Sequence, residues 1–285
     1  QQLTEVTPEI QQTATHIASL DVLTSFAKTS SEHNYIQPTL VDNNVIQIKN
    51  GRHPVVELGT RFIGNDILLH DGEMMIITGP NMAGKSTIMR QVALIVLLAQ
   101  IGCFVPAEEC VMGMTDRIFT RVGAADDLAA GRSTFMVEMN ETASILHNAT
   151  ERSLIILDEI GRGTSTFDGV SIAWSVAEHI YSHIKAKTMF ATHYHVMNKL
   201  EDKFTRISNY NIAVKERNGE LIFLRKLVKG GTDQSYGVHV AKLAGLPSSV
   251  IERAKEIQQI LEKDDAMMNK IQAKKLQQQK SLGEF

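Results

Sequence analysis

The sequence predicts an α/β fold built around a central mixed β-sheet. Two short runs, at residues 74–78 and 153–158, are apolar almost throughout, which is typical of strands that are buried on both faces. Each run is followed by a segment with apolar residues at helical spacing. Near the C-terminal end, Asn218-Gly219 separates two strand-like segments and predicts an antiparallel β-hairpin.

Composition and periodicity divide the 285 residues into four parts. Residues 1–44 combine a helical stub, in which apolar residues recur at helical spacing, with a polar linker. Residues 45–230 contain the strands and helices of the α/β domain. Residues 231–262 predict a small helical element similar to a helix-turn-helix, and residues 263–285 form a polar tail. With 43% hydrophobic residues, the chain can bury a sizeable core.

Length and pattern assign the individual elements in chain order. Strands are expected at residues 45–48, 74–78, 117–120, 153–158, 188–192, 209–214 and 220–225. Helices are expected at residues 10–28, 87–101, 134–147, in a segment that ends near 184, and at 238–244 and 247–261. The last helix begins at Pro247, because proline is favoured in the first turn of a helix.

The motif at residues 79–86 carries most of the functional information. Its sequence, Gly-Pro-Asn-Met-Ala-Gly-Lys-Ser, fits G-x-x-x-x-G-K-[ST], the phosphate-binding loop of nucleoside triphosphatases. Backbone N–H groups and the following helix N-terminus are expected to bind phosphates, Lys85 to neutralise the outer phosphates, and Ser86 to ligate Mg²⁺. The candidate nucleotide-binding residues in and after this loop are Gly79, Pro80, Asn81, Met82, Ala83, Gly84, Lys85, Ser86 and Thr87.

Two carboxylates follow the second apolar strand. Asp158 lies where such enzymes have their second contact to Mg²⁺, and Glu159 is suited to polarise the attacking water. Because Ser86 and Asp158 are far apart in the sequence, another strand and helix must lie between them. We therefore interpret Ser86 and Asp158 as metal ligands, and Lys85 and Glu159 as catalytic residues.

Two histidines follow the strand expected at residues 188–192. His193 lies at the strand end, where it could sense the γ-phosphate or hold the attacking water, so it is a third catalytic candidate. His195 is expected on the surface of the next helix. Neither histidine has a Cys or a second His at ligand spacing, which argues against a zinc site.

Two common triphosphatase classes fit the sequence less well. A GTPase would have an N-K-x-D motif to recognise the base, whereas residues 198–201 lack the Asp and lie in a predicted helix. A transporter ATPase would have an L-S-G-G-Q-like signature where residues 128–139 differ in sequence. Ser133 begins a helix in that segment, so it could bind a phosphate together with the helix N-terminus, or simply cap the helix.

Five sequence blocks, in the same order along the chain, resemble the MutS family of DNA mismatch-repair proteins: residues 79–87, 133–139, 158–165, 191–195 and 235–247. The resemblance implies an ABC-type, Mg²⁺-dependent ATPase that forms dimers, in which each subunit completes the other's ATP site. It also implies that Ser133 acts in trans on the partner's nucleotide, that Asn81 contributes beside the phosphates, and that Phe62 stacks on adenine. The alternative for Phe62 is packing under the sheet edge.

The same resemblance implies the wider setting of the chain. Residues 1–44 correspond to the end of a long helical lever and its linker, and residues 231–262 to a dimerisation element. The chain is interpreted as a C-terminal fragment or a natural short form. The expected partners are a second copy in a homodimer, duplex DNA bound through domains absent from this chain, and downstream repair proteins. Arg225 occupies a position where many relatives have a His near the base, so no base contact is assigned to that strand.

Charge and hydropathy disfavour several other classes of protein. A net charge of −3 argues against a broad basic DNA-binding face on this chain. The longest apolar stretch, residues 92–99, is too short to span a membrane, and the polar N-terminus contains no signal peptide. Cys103 and Cys110 are expected to be reduced, buried thiols. We expect a soluble protein of the cytoplasm, associated with the nucleoid, or of the nucleus in a eukaryote.

Two other functions remain open from the sequence. One is a nucleotide-gated interaction module, in which ATP is bound but one site is catalytically idle. The other is the ATPase of a MutS relative that acts in recombination or another DNA transaction. The complete set of Ser86, Asp158, Glu159 and His193 favours catalysis.

Overall fold

The computed structural model describes residues 2–80, 83–123, 134–217, 220–232 and 236–261. The chain divides into two compact units, Gln1–Asp233 and Gln234–Phe285. The described residues of the first unit form ten strands: β1 (Thr39–Val41), β2 (Ile46–Gly51), β3 (Asn65–Leu69), β4 (Met74–Thr78), β5 (Glu109–Gly113), β6 (Ile118–Val122), β7 (Leu154–Asp158), β8 (Lys187–Ala191), β9 (Ile207–Arg217) and β10 (Glu220–Lys229).

Helices of very different lengths connect these strands. The α-helices of the first unit are α1 (Gln2–His33), α2 (Lys85–Gln100), α3 (Thr134–Asn148), α4 (Thr166–His179) and α5 (Leu200–Lys203). Short 3-10 helices lie at Val56–Leu58 and His195–Lys199, and a π-helical turn extends α4 over Ile180–Ile184. The strands and helices predicted from the sequence are present, with ends that shift by a few residues.

The larger sheet has six strands in the order β10-β9-β4-β8-β7-β6. Its strands pair in parallel except for β10, which is antiparallel to β9, so the sheet is mixed as predicted. The strand β4 lies between β8 and β9, although it comes first of the six in sequence. Because parallel strands share a carboxyl edge, the residues that follow β4, β7 and β8 meet on one side of the sheet.

A second sheet of four strands, in the order β1-β5-β2-β3, extends the fold beyond the sequence prediction. Residues 39–41, which the prediction placed in the linker, form β1, which pairs in parallel with β5. The strands β3 and β5 were not predicted. Arg52 joins this sheet to the preceding helix, since its Nη2 donates to the carbonyl of His33 at 3.0 Å.

The core lies on both faces of the larger sheet. On one face, α2 packs between the two sheets, and its side chains Met89, Val92 and Val96 are fully buried. On the other face, residues from α3 and α4, including Ile145 and Ala173, cover the sheet. This arrangement explains why β4 and β7 are continuously apolar, since successive side chains point to opposite faces that are both buried.

The helix α1 is longer than its predicted core of residues 10–28. It runs from Gln2 to His33 with Pro8 inside it, and many of its apolar side chains are exposed. Ile17, Leu20 and Leu23 have exposed fractions of 61–66%. Within the described ranges, no helix combines the length and the apolar character needed to cross a membrane.

The predicted hairpin is present as β9 and β10, although its turn at Asn218-Gly219 lies outside the described residues. The register shifts between Phe223 and Leu227, where Arg225 has a φ of +54°. The buried side chain of Asn65 holds this bulge, since it donates to the carbonyl of Arg225 and accepts from the N–H of Leu227. A side chain of the smaller sheet therefore hydrogen-bonds two backbone groups of the bulge, the carbonyl of Arg225 and the N–H of Leu227.

In the second unit, α6 (Gly237–Leu243) and a helix that covers residues 248–261 correspond to the two predicted helices. The role of this element in dimerisation stays a prediction. The polar tail predicted at residues 263–285 lies outside the described residues. Cys103 and Cys110 in the first unit are free and buried, and burial raises the pKa of the Cys110 thiol to about 11.

Candidate functional site

The loop between β4 and α2 has the backbone of a turn that needs glycine. Gly79 has a φ of +131° and Gly84 a φ of +110°, values at which residues with a Cβ are strained. Gly84 precedes the first residue of α2, so the helix N-terminus opens directly from the loop. Asn81 and Met82 lie outside the described residues, whereas Pro80, Ala83 and Thr87 are described.

Lys85 lies at the start of α2 with only 4% of its side chain exposed. Its Nζ donates to the carbonyl of Gly79 at 2.5 Å and lies 3.8 Å from Oε1 of Glu159. Burial lowers the pKa of Lys85, while the carboxylates of Glu159 and Asp158 counteract this effect. A buried cation at the N-terminus of a helix favours an anion beside it.

Asp158 and Ser86 are brought together, as the sequence predicts. Asp158 ends β7, and desolvation raises the pKa of its carboxyl, which the hydrogen bond from the Ser86 hydroxyl partly offsets. A hydroxyl and a carboxylate at the edge of an open cavity are hard oxygen donors of the kind that Mg²⁺ uses alongside phosphate oxygens and water. The residues present therefore fit the expected metal.

Glu159 is buried and has a φ of +58°, which is uncommon for a residue with a side chain. Its N–H donates to the carbonyl of Ala191 at 2.9 Å, so the carboxyl end of β8 fixes its backbone. Its Oε2 pairs with Nη1 of Arg162 at 2.6 Å. Arg162 was not predicted as a site residue, although its position three residues after Glu159 was visible in the sequence.

His193 follows β8, and its ring is partly exposed to solvent. Desolvation by the surrounding protein nevertheless lowers its pKa, with Glu159 acting in the opposite direction. The prediction that His195 lies on the surface is wrong in part. His195 is half-buried at the start of a 3-10 helix, and its Nδ1 lies 2.8 Å from the carbonyl oxygen of Thr232, because the helix packs close to the segment after β10.

These residues surround an open cavity of about 700 Å³ at the carboxyl edge of the larger sheet. Lys85, Asp158 and Glu159 line it together with three arginines that the sequence analysis missed. Arg90 lies one helical turn after Ser86, and Arg162 lies three residues after Glu159. The third, Arg121, is in β6, which pairs with β7. The full lining is Pro80, Gly84, Lys85, Ser86, Thr87, Arg90, Arg121, Val122, Gly123, Thr134, Glu138, Asp158, Glu159, Arg162 and Gly163.

Four described residues of the predicted site do not line the cavity, namely Gly79, Ala83, Phe62 and His193, and three further predicted residues, Asn81, Met82 and Ser133, lie outside the described residues. Phe62 is half-buried, and its ring centroid lies 6.4 Å from that of His53. His193 follows the strand end but does not reach the cavity wall. Ser133 lies outside the described residues, but the next residue, Thr134, lines the cavity of its own chain.

Comparison with known proteins gives consistent results across most of the chain. A family model described as MutS domain V matches residues 75–262. DNA mismatch repair protein MutS of Bacteroides thetaiotaomicron is 56% identical over 93% of this chain and 32% of its own length. The proteins of the same name from Caldanaerobacter subterraneus subsp. tengcongensis and Alkaliphilus metalliredigens are 59% and 61% identical, over 92% and 89% of this chain.

The chain spans about a third of the length of these curated relatives. The family model covers most of the larger sheet and the second unit, including the loop at residues 79–86 and both carboxylates after β7. The resemblance of the five sequence blocks is therefore confirmed at the level of the family. This chain belongs to the MutS family and contains its domain V.

Proposed function

We propose that this chain binds ATP with Mg²⁺ and hydrolyses it to ADP and phosphate, and that this reaction drives conformational change in DNA mismatch repair. The observation that supports the proposal most directly is the convergence of Lys85, Asp158 and Glu159 on one open cavity at the carboxyl edge of the sheet. The name shared by the relatives, DNA mismatch repair protein MutS, supports the biological setting.

Binding of the triphosphate rests on positive charge and on backbone N–H groups. Lys85 and the first turn of α2 would hold the β- and γ-phosphates, because the helix N-terminus and the loop N–H groups favour anions. Arg90, Arg121 and Arg162 line the same cavity and add cationic side chains. Arg162 is half exposed, so it can change partner when an anion enters.

Ser86 and Asp158 would hold Mg²⁺, with Asp158 acting either directly or through a water molecule. Bound Mg²⁺ would supply charge neutralisation to the phosphates. Of the chain's own residues, Ser86 already donates a hydrogen bond to Asp158, so the two oxygens are close before any ligand binds. The raised pKa of Asp158 is consistent with a carboxylate that gains from a nearby cation.

Glu159 would accept a proton from the attacking water as general base. In the structure, its two oxygens interact with Lys85 at 3.8 Å and Arg162 at 2.6 Å. Anionic phosphates would compete for both cations, so ATP binding would release the carboxylate to act on water. His193, which follows the neighbouring strand, would assist by holding the water or by sensing the γ-phosphate.

A second candidate is a nucleotide-gated switch that binds ATP but hydrolyses it slowly. The ion pairs of Glu159 favour this possibility, because a carboxylate that contacts two cations must leave them before it can accept a hydrogen bond from the attacking water. In both cases we propose a dimer with composite sites, in which Ser133 acts on the partner's nucleotide. DNA would be bound through other domains of the full-length protein.

The first experiment replaces the proposed base. Glu159→Gln should preserve ATP affinity but reduce kcat about 10²- to 10⁴-fold, because an amide cannot accept the proton. ATP affinity is measured with a fluorescent analogue, and kcat by release of phosphate. Glu141→Gln, an exposed carboxylate on α3, serves as the matched control and should retain full activity. Wild-type turnover in Glu159→Gln would refute the assignment, and absence of turnover in the unmodified chain would favour the switch.

The second experiment decides whether Ser133 acts in cis or in trans. Thr134 lines the cavity of its own chain, so a cis role is a real competitor. A Lys85→Ala chain is mixed with a Ser133→Ala chain. If Ser133 acts in trans, one site of the mixed dimer carries both lesions and the other carries neither, so activity recovers. If verified heterodimers show no recovery, the trans arrangement is wrong.

A further inference from the structure

The segment that carries Glu159 has an unfavourable backbone conformation that needs support from neighbouring residues. Glu159 has a φ of +58°, and Gly161, two residues later, has a φ of +91°. A left-handed conformation is unfavourable for a residue with a side chain and persists only where its surroundings impose it. Residues 159–163, the catalytic loop, must therefore be held by contacts from outside.

Two buried side chains hold this loop at Gly161. Glu138 of α3 accepts a hydrogen bond from the N–H of Gly161 through Oε1. Tyr194, next to His193, donates its hydroxyl to the carbonyl of Gly161 at 2.9 Å. Glu138 is 5% exposed and Tyr194 is 7% exposed, so neither contact competes freely with water. The N–H and the carbonyl of Gly161 are thus each hydrogen-bonded to a side chain, and the two side chains come from different segments of the chain.

Close packing adds to these hydrogen bonds. A Cβ at Gly161 would lie 2.6 Å from the Cα of Gly169, and a Cβ at Gly163 would lie 2.7 Å from the Cβ of Phe135 on α3. Ile160, between Glu159 and Gly161, is fully buried. The loop is therefore clamped between α3, α4 and the segment after β8.

Glu138 is itself fixed by charge. Its Oε2 lies 3.4 Å from Nη2 of Arg121, and the two side chains are each 6% exposed. Arg121 also pairs with Glu141 at 3.1 Å, but the side chain of Glu141 is half exposed. One oxygen of Glu138 thus pairs with an arginine and the other accepts from a backbone N–H. These two contacts hold the buried carboxylate in one orientation.

We propose that Glu138 is a positioning residue for Glu159, acting through Gly161, with Tyr194 as the second support of the same residue. Glu138 lies one helical turn after Thr134, the first residue of α3 and a residue of the cavity wall. A shift of the first turn of α3 would therefore move Glu138 and, through Gly161, the catalytic carboxylate. This inference rests on the proposed function, because it assigns to Glu138 a role in the reaction attributed to Glu159.

The kinetic test compares Glu138→Ala, Glu138→Gln, Tyr194→Phe and the control Glu141→Ala in the complete chain. Glu138→Ala should reduce kcat roughly 10- to 100-fold, because misplacement of a catalytic group by about 1 Å has effects of this size. Glu138→Gln keeps an acceptor oxygen for Gly161 and should recover part of the loss. Tyr194→Phe removes only the hydroxyl and keeps the ring. It should reduce kcat by a smaller factor than Glu138→Ala does.

Combining Glu138→Ala with Glu159→Gln separates positioning from general damage. If Glu138 acts through Glu159, the double variant is no slower than Glu159→Gln alone, because the effects of residues that act as a unit do not add. A further loss in the double variant, or an equal loss in Glu141→Ala, would contradict the proposal.

Amide hydrogen exchange provides a readout that does not depend on hydrolysis. Exchange across residues 159–163 should be faster in Glu138→Ala and Tyr194→Phe than in the unmodified chain, and unchanged in Glu141→Ala. Unchanged exchange in Glu138→Ala would overturn the proposal even if the variant were inactive. If the unmodified chain did not hydrolyse ATP, the proposed function would fail, whereas the exchange rates would still decide whether Glu138 holds the loop.

Discussion

Two buried lysines lie at opposite edges of the larger sheet, and their surroundings differ sharply. Lys85 follows the carboxyl end of β4, whereas Lys187 begins β8 at the amino edge. Lys85 is 4% exposed and Lys187 is fully buried, and burial lowers the pKa of both side chains. By burial and pKa alone, Lys187 is the more perturbed residue.

The two sites differ in what surrounds the ammonium group. Nζ of Lys187 donates to Oδ1 of Asn44, and Nδ2 of Asn44 donates in turn to Asp71 at 2.6 Å and to the carbonyl of Glu151 at 2.9 Å. These protein groups fill the surroundings of Lys187. Lys85 instead lines a cavity of about 700 Å³ beside two carboxylates and three arginines.

This difference shows how to interpret a perturbed lysine. Burial lowers the pKa at both edges of the sheet, so a lowered pKa does not by itself identify a functional site. The distinguishing features at Lys85 are an open volume and a position at the helix N-terminus that follows the glycine loop. At Lys187, a closed network of polar side chains indicates a structural role.

The largest expected effect comes from exchanging each lysine for methionine. Lys85→Met should weaken ATP binding about 100-fold, because a charge-assisted hydrogen bond contributes about 1.5–3 kcal/mol. Lys187→Met should leave ATP affinity within about twofold, since distant sites act independently. Both affinities are measured by titration with a fluorescent ATP analogue, after circular dichroism has verified folding. A large loss of ATP affinity in Lys187→Met would contradict the assignment of Lys187 to a purely structural role.

A smaller effect is expected in the pH dependence of stability. The pKa of Lys187 is about 8 in the folded chain, against an ordinary value of 10.5, because burial penalises the charged form. Between these values the unfolded state binds more protons, so the contribution of Lys187 to stability rises with pH. From pH 7.5 to 10, the free energy of unfolding of the unmodified chain should rise relative to Lys187→Met by on the order of 1–2 kcal/mol.

Urea unfolding at each pH measures this difference. Other titrating groups are present in both proteins and cancel in the comparison. Lys185→Met is the control, because Lys185 is exposed and lies only two residues away. If Lys185→Met and Lys187→Met had the same pH dependence, the buried network would not be responsible.

Local sequence predicted the parts of the fold that depend on short-range patterns. The apolar runs at β4 and β7, the glycine loop and the hairpin of β9 and β10 are all properties of a few consecutive residues. The strands β1, β3 and β5 were missed; β1 has only three residues, and β1 and β5 pair with each other although they are far apart in the sequence. The bulge at Arg225 was missed for the same reason, since Asn65 holds it from 160 residues away in the sequence.

The candidate site follows the same rule. Lys85, Ser86, Asp158 and Glu159 belong to motifs whose chemistry is local, and the structure brings these four residues together. Arg121 and Glu138 were not identified because their significance lies in tertiary contacts: Arg121 pairs with Glu138, and Glu138 accepts a hydrogen bond from the N–H of Gly161. The left-handed backbone of Glu159 carries no sequence signal, because glutamate rarely adopts it.

The position of β4 has a consequence for how the chain is made. Its two neighbours in the sheet are β8 and β9, and both follow it by a long stretch of sequence. During synthesis from the N-terminus, β4 and its loop leave the ribosome well before either partner strand exists. Until residue 187 has been added, this largely apolar strand lacks both of its partners in the sheet and is a potential aggregation site. A truncation before β8 therefore leaves the phosphate loop without the neighbouring strands that support it.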